Sequence, residues 1–268
     1  MPNRAATLPK QRLNPNGHQS RETRQRMTQK IDPFVHHPKL RGKIVEPRES
    51  NFRELDLAKL DEKMRSIGAS ADWRHSDAYR EESRRKSLES VAPGDLWVFA
   101  YGSLMWDPAF CFDEVRLAHL SHHERRFCLK SEVGRGTPEK PGLMAGLDDG
   151  QGCDGLAFRV PQELVEAETR IIWRREMLLH AYAPVFLTAT TTLGEIETLA
   201  FVVDHTADSY LPDLTLQQTA RYLATGKGMF GSNQAYLENM ANQFEALGIQ
   251  DEAVFALRHA TRTYTAEK

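Results

Sequence analysis

A run of residues with buried-type side chains, Leu96-Trp97-Val98-Phe99-Ala100-Tyr101, breaks at Gly102-Ser103 and resumes as Leu104-Met105-Trp106. An uninterrupted apolar run of this length fits a strand covered on both faces, not one with a wet side. The glycine lets the backbone turn sharply. Successive N–H groups of such a turn can face an anion or a carbonyl oxygen, with the Ser103 hydroxyl beside them. The same pattern also fits a core strand followed by an ordinary turn.

The 268 residues, 40% of them hydrophobic, suffice for one substantial core or two small ones. No apolar stretch reaches the length of a transmembrane helix, and the N-terminus lacks the apolar centre of a secretory signal. Cys111, Cys128 and Cys153 are odd in number and widely spaced. That argues against a disulfide framework and for a reducing, cytoplasmic setting. Charge is uneven along the chain. Residues 1–90 carry 20 Lys/Arg against 13 Asp/Glu, a balance of +7, whereas 91–268 carry 15 against 24, a balance of −9. A net-acidic body argues against nucleic acid as the main partner.

Residues 1–30 hold few large apolar side chains and read as disordered. Between 31 and 90, Phe52, Leu55, Leu57 and Leu60 form islands at helical spacing, while the mixed charges at 81–86 read as a solvated linker. Pro93-Gly94 marks a boundary. The expected division is a basic N-terminal extension, 1–90, largely disordered or loosely docked, and a folded domain, 91–268. In that domain strands are expected at 115–119, from 126, at 143–147 and at 153–160. The last two flank a hairpin signal, Asp148-Asp149-Gly150-Gln151-Gly152. Pro161 opens a helix to residue 179. Segments 185–192 and 197–203 pair across Leu193-Gly194-Glu195, and helices follow at 216–224, 233–247 and 252–263. Hairpins with few strand–helix alternations predict an α+β fold around a curved or closed sheet.

Three motifs fail on context. Gly226-Lys227-Gly228-Met229-Phe230-Gly231 spells a dinucleotide-binding loop, but a helix precedes it where a strand is required. His36-His37 and His122-His123-Glu124 have no metal-site spacing, so no metal is expected. Ser103 lacks the second glycine of a nucleophile elbow.

Glu163, Glu166 and Glu168 fall in the first turns of the helix from 161, where carboxylates suit the helix dipole. Glu176 differs. Its same-face neighbours are Ile172, Trp173, Leu179 and His180. An apolar stripe near a helix C-terminus disfavours the ionised carboxylate, and a carboxyl with a raised pKa suits general acid–base work. Alternatively Glu176 pairs with Arg174 or Arg175, or lies exposed at a fraying end.

Together these residues carry a family likeness. Phe99-Ala100-Tyr101-Gly102-Ser103-Leu104-Met105-Trp106 resembles the opening strand and substrate loop of γ-glutamylcyclotransferases, and in particular their ChaC-like, glutathione-specific branch. Four further stretches follow in the family's order. They are Arg135-Gly136-Thr137 with Lys140-Pro141-Gly142, Gly155-Leu156-Ala157-Phe158-Arg159-Val160-Pro161, Trp173-Arg174-Arg175-Glu176-Met177, and Gly231-Ser232-Asn233 with Tyr236-Leu237. The likeness covers residues 95–260.

The resemblance implies a small mixed β-barrel with surrounding helices, no metal or cofactor, and cleavage of glutathione to 5-oxoproline and cysteinylglycine. It places the catalytic glutamate at Glu176 and the substrate loop at Tyr101, Gly102, Ser103 and Leu104. Tyr236 and Tyr182 become pocket aromatics. Arg135 and Lys140 stand in a polar loop that is either solvated or in contact with the substrate's glycine carboxylate. Leu178, Leu179 and His180 depart from glycine-rich relatives at that position. Two alternatives stay open: action on other γ-glutamyl amino acids or amines, and a non-catalytic binding module on the same fold.

Overall fold

The apolar run becomes strand β1 (Leu96–Ala100), and it is covered on both faces because it is one stave of a closed ring. The computed structural model describes residues 32–266, so the disorder expected of residues 1–30 lies outside the described residues. Strand β1 pairs antiparallel with β5 (Cys153–Val160), which pairs with β2 (Glu114–Leu120). Strand β2 pairs with β6 (Tyr182–Thr191), and β6 with β7 (Gly194–Val203). Strand β7 then returns parallel to β1 at Trp97 and Val98, closing the ring. Further along, β7 touches β4 (Gly142–Asp149) at Leu147, and β4 carries β3 (His123–Ser131) as an outer wing.

The alternation of β1 is used on both sides. Val98 and Ala100 join a core shared with helices, and Phe99, with Tyr101 just past the strand, joins a second cluster otherwise built from strand residues. The helices are α1 (Leu57–Ser66), α2 (Asp77–Glu89), α3 (Val165–Glu176), α4 (Leu216–Thr225), α5 (Asn233–Leu247) and α6 (Glu252–Ala266). None of the described helices is long and apolar enough to cross a membrane.

Three expectations are corrected. The turn at 148–152 does not make a hairpin, because both edges of β5 are taken by β1 and β2, and those of β4 by β3 and β7. Its glycines serve close packing instead: a Cβ on Gly150 would run into the Glu124 side chain. The charged run at 81–86 is no linker. It lies within α2, where Arg84 is buried and its guanidinium meets Glu166 at 3.0 Å and Thr169 at 3.0 Å. One compact unit begins at Pro33, with Leu40 and Ile44 in the main core and the Val45 N–H donating to the Trp106 carbonyl. Finally, the helix from 161 ends at Glu176, three residues earlier than expected, after a short 3-10 turn (Gln162–Leu164).

The dinucleotide-like loop is a two-residue-per-strand hairpin, β8 (Lys227–Gly228) with β9 (Gly231–Ser232), and α4 precedes it. His37 Nε2 accepts from the Leu117 N–H at 2.8 Å, so this histidine caps a β2 amide.

Candidate active site

Glu176 is the last residue of α3. One turn earlier, Ile172 and Trp173 are buried. The Trp173 ring lies 5.3 Å from Phe201 of β7, and its indole N–H donates to Ser83 Oγ of α2 at 3.1 Å. That packing fixes the end of the helix against the barrel and turns the Glu176 carboxylate inward. The side chain is only 14% exposed. Burial raises its pKa from the usual carboxylate range, and the Arg175 guanidinium works in the opposite direction. Arg175 Nε sits 3.1 Å from Glu176 Oε1, so the ion pair and the apolar setting open in the sequence are both present.

Arg175 also reaches the turn after β1. Its Nη2 donates to Ser103 Oγ at 2.8 Å, and its Nη1 donates to the Asp107 carbonyl. The Ser103 hydroxyl therefore fastens the turn to α3. Ser103 opens a 3-10 turn (Ser103–Met105), and the first N–H groups of such a turn have no acceptor within it. Gly102 passes close to α5: a Cβ there would lie 3.2 Å from the Tyr236 hydroxyl, a tight contact.

Three tyrosines surround the carboxylate. The Tyr101 hydroxyl donates to the Phe201 carbonyl at 2.7 Å and that of Tyr182 to the Ala145 carbonyl at 2.9 Å. Burial pushes both hydroxyls well above the ordinary phenol value, so they stay protonated. Tyr236 lies on α5, one turn beyond Asn233. Asn233 is fully buried and clamps the Leu143 amide and carbonyl at 2.6 and 2.7 Å. The Tyr236 ring packs near Trp106 and Phe127, and the Arg135 guanidinium lies over it at 5.0 Å.

Arg135 is held by its backbone N–H, which donates to Ser131 Oγ at 2.9 Å, and by its side chain, which donates to the Phe230 carbonyl. Burial lowers its pKa. Among the described residues no carboxylate pairs with it. Lys140 is exposed and does not reach the site.

These groups line two joined cavities. The outer, about 110 Å³, is bounded by Phe52, Leu55, Arg135, Met144, Leu179 and Phe230. The inner, about 20 Å³, lies against Tyr101, Gly102 and Leu104. Ser103, Glu176, Tyr182 and Tyr236 border both. Every expected site residue except Lys140 thus converges here. Phe52, Leu55 and Phe230 carried no local signal of a site, because their role depends on contacts distant in sequence. Three wider grooves, of about 750, 880 and 480 Å³, lie on other parts of the described surface. The first two hold ion pairs such as Arg125–Asp251 and Arg74–Asp61. His180 lies in one of them, stacked 4.0 Å from His75.

A closed mixed barrel with a carboxylate at its mouth defines a recognisable class. A crystal structure of a γ-glutamyl cyclotransferase specific to glutathione from yeast matches with a TM-score of 0.59 at 19% identity, over 65% of this chain and 99% of that one. The fold is therefore that of the γ-glutamylcyclotransferases. The family model described as ChaC-like protein matches residues 96–264, and the chain belongs to that family. Among curated relatives, the glutathione-specific γ-glutamylcyclotransferase of Escherichia coli (strain K12) is 34% identical over 175 residues, covering 65% of this chain and 76% of its own. Glutathione-specific γ-glutamylcyclotransferase 1 of Rattus norvegicus is 30% identical, over 65% of this chain and 82% of its own.

Proposed function

We propose that this chain is a glutathione-specific γ-glutamylcyclotransferase of the cytoplasm, with Glu176 as its single general acid–base. The observation that carries the reading is one carboxylate, desolvated and raised in pKa, placed where a small inner cavity opens into a larger outer one. The family membership and the curated relatives support the substrate.

The reaction is an intramolecular aminolysis. The substrate's α-amine is protonated near neutrality and cannot attack in that form. Glu176 takes a proton from the α-ammonium, and the freed amine attacks the γ-carbonyl carbon. As the amide C–N bond breaks, the protonated Glu176 returns the proton to the departing nitrogen. The second proton displaced on ring closure leaves with cysteinylglycine as its ammonium. The products are 5-oxoproline and the dipeptide. Such acid–base help is worth ~10²–10⁴-fold. Holding the flexible γ-glutamyl chain in its cyclising conformer contributes up to roughly 7–11 kcal/mol more.

The nucleophile belongs to the substrate, so no protein nucleophile is needed. The candidate nucleophiles are otherwise engaged or inert. Ser103 Oγ accepts from Arg175, and burial pushes the thiols of Cys128 and Cys153 up to about 12 and about 11. In this reading the γ-glutamyl end occupies the inner cavity against Gly102, Ser103 and Leu104, with Tyr101, Tyr182 and Tyr236 shaping it. The dipeptide occupies the outer cavity, where Arg135 offers its cation to the glycine carboxylate. Residues 91–268 carry the chemistry, and the segment before them completes the outer cavity.

The test is incubation with glutathione and detection of 5-oxoproline and cysteinylglycine by mass spectrometry. Glu176→Gln is expected to keep its fold and lose at least ~10²-fold in rate. Near wild-type turnover by that variant overturns the assignment. Turnover of other γ-glutamyl compounds in preference to glutathione overturns the substrate.

A further inference from the structure

Two residues bounding the outer cavity, Phe52 and Leu55, come from a strap that precedes the family-matched region of 96–264. The strap is fastened at its centre to the helix that carries Glu176. The Arg53 guanidinium forks onto Glu168 of α3 at 2.7 and 2.9 Å and donates to the Ala109 carbonyl at 2.9 Å. From the same helix Arg174 donates back to the Arg53 carbonyl. Glu168 is 3% exposed and also accepts from the Cys111 N–H at 2.9 Å. Ser50, at the strap's start, is buried and its hydroxyl accepts from the Phe52 N–H at 3.2 Å.

Fastened in this way, the Phe52 ring lies between two walls of the cavity. It sits 4.3 Å from the Arg175 guanidinium and 5.1 Å from the Phe230 ring. The cavity on this side is narrow, about 110 Å³, and opens to solvent. The lining on this side is apolar, through Phe52, Leu55, Met144 and Phe230. A free cysteine side chain behaves as a small hydrophobe and suits such a wall. In the glutathione reading, a large substituent on the sulfur meets this apolar wall.

We propose that the strap at 50–55 is the selectivity wall of the leaving-group side, with Phe52 and Leu55 admitting an unmodified cysteinyl side chain and excluding glutathione that carries bulk on its sulfur. The proposal rests on the glutathione reading above. Because the wall lies outside the family match, the discrimination is a property of this chain's own N-terminal segment.

The experiment compares kcat/KM for glutathione and for S-benzylglutathione, read as 5-oxoproline release, in wild type, Phe52→Ala, Leu55→Ala and Phe52→Leu. Thermal melts report folding. The wild type is expected to favour glutathione strongly. Each alanine variant raises the ratio of S-benzylglutathione to glutathione by about tenfold or more, the scale of discrimination that a few carbon atoms of pocket lining supply. Phe52→Leu, which keeps much of the bulk, stays close to the wild-type ratio. Leu55→Ala carries the test should Phe52→Ala unfold, since Phe52 alone of the two lies against Arg175. An unchanged ratio in folded alanine variants that still cleave glutathione overturns the wall, as does equal turnover of both substrates by the wild type. A folded wild type that cleaves neither compound overturns the glutathione reading, and the wall falls with it.

Discussion

Glu176 shows how far one residue can be read from its neighbours. Ile172 and Trp173, four and three residues back, marked an apolar stripe, and both are buried. What the stripe could not reveal was the work of Arg175, whose partners Ser103 and Asp107 lie 72 and 68 residues away. Tyr236 had no local signal and was reached only through the family likeness. The raised pKa of Glu176 has two measurable consequences. In the proposed mechanism its carboxylate form is the base, so kcat/KM is expected to rise with pH through a limb displaced upward from the ordinary value of 4.5. A pH–rate profile checks this, and the limb is expected to vanish in Glu176→Gln. The second consequence concerns stability. The folded chain holds the Glu176 proton more tightly than the unfolded chain does. The contribution is therefore present in full below the unfolded pKa and is lost as pH rises through the folded one. Glu176→Gln, which cannot ionise, is expected to melt above the wild type at pH 8 and level with it near pH 4. A variant that melts lower at pH 8 contradicts the cost of the buried charge.

At the scale of elements, α3 was foreseen in place but not in function. Glu166 and Glu168 suited a helix N-terminus, which hid their long-range partners. Glu166 meets Arg84 of α2, and Glu168 meets Arg53 of the strap. The charges at 81–86 misled for the same reason. A guanidinium looks solvated until the carboxylate that neutralises it arrives from 82 residues away. The turn at 148–152 misled differently, since turn residues report that the chain bends and not which strand it will pair with. Glu168 gives a direct test. Burial opposes its ionisation, but the Arg53 fork and the Cys111 N–H outweigh that and lower its pKa. Its stabilising contribution is present above the unfolded pKa and is lost as pH falls through the folded one. Glu168→Gln leaves Arg53 unpaired in a largely buried site. The variant is expected to lose about 3 kcal/mol in urea unfolding at pH 7, with less loss in acid. A change within experimental error at pH 7 would mean that the pair is solvated.

For the molecule as a whole, the double-sided burial of β1 was legible because its apolar residues do not alternate with polar ones. The parallel closure of β7 onto β1 was not, because nothing in either strand specifies direction. Pro93 and Gly94 mark a bend, whereas packing into the core depends on what residues such as Leu40 and Ile44 touch. A chain begun at residue 91 loses those two side chains from the core, together with α1 and α2. It is expected to be insoluble or to lack a cooperative melt, as circular dichroism and sedimentation would report. A soluble, cooperatively folded 91–268 fragment contradicts that dependence. The anchoring of the strap on α3 has one more consequence. On the proposed reading, a single helix carries both the group that moves the proton and the anchor of the strap that narrows the cavity. Loosening that helix should cost speed and fidelity together. In a urea titration, turnover of glutathione and rejection of its S-benzyl derivative are expected to fade at one midpoint, so that the enzyme does not pass through a fast but careless state.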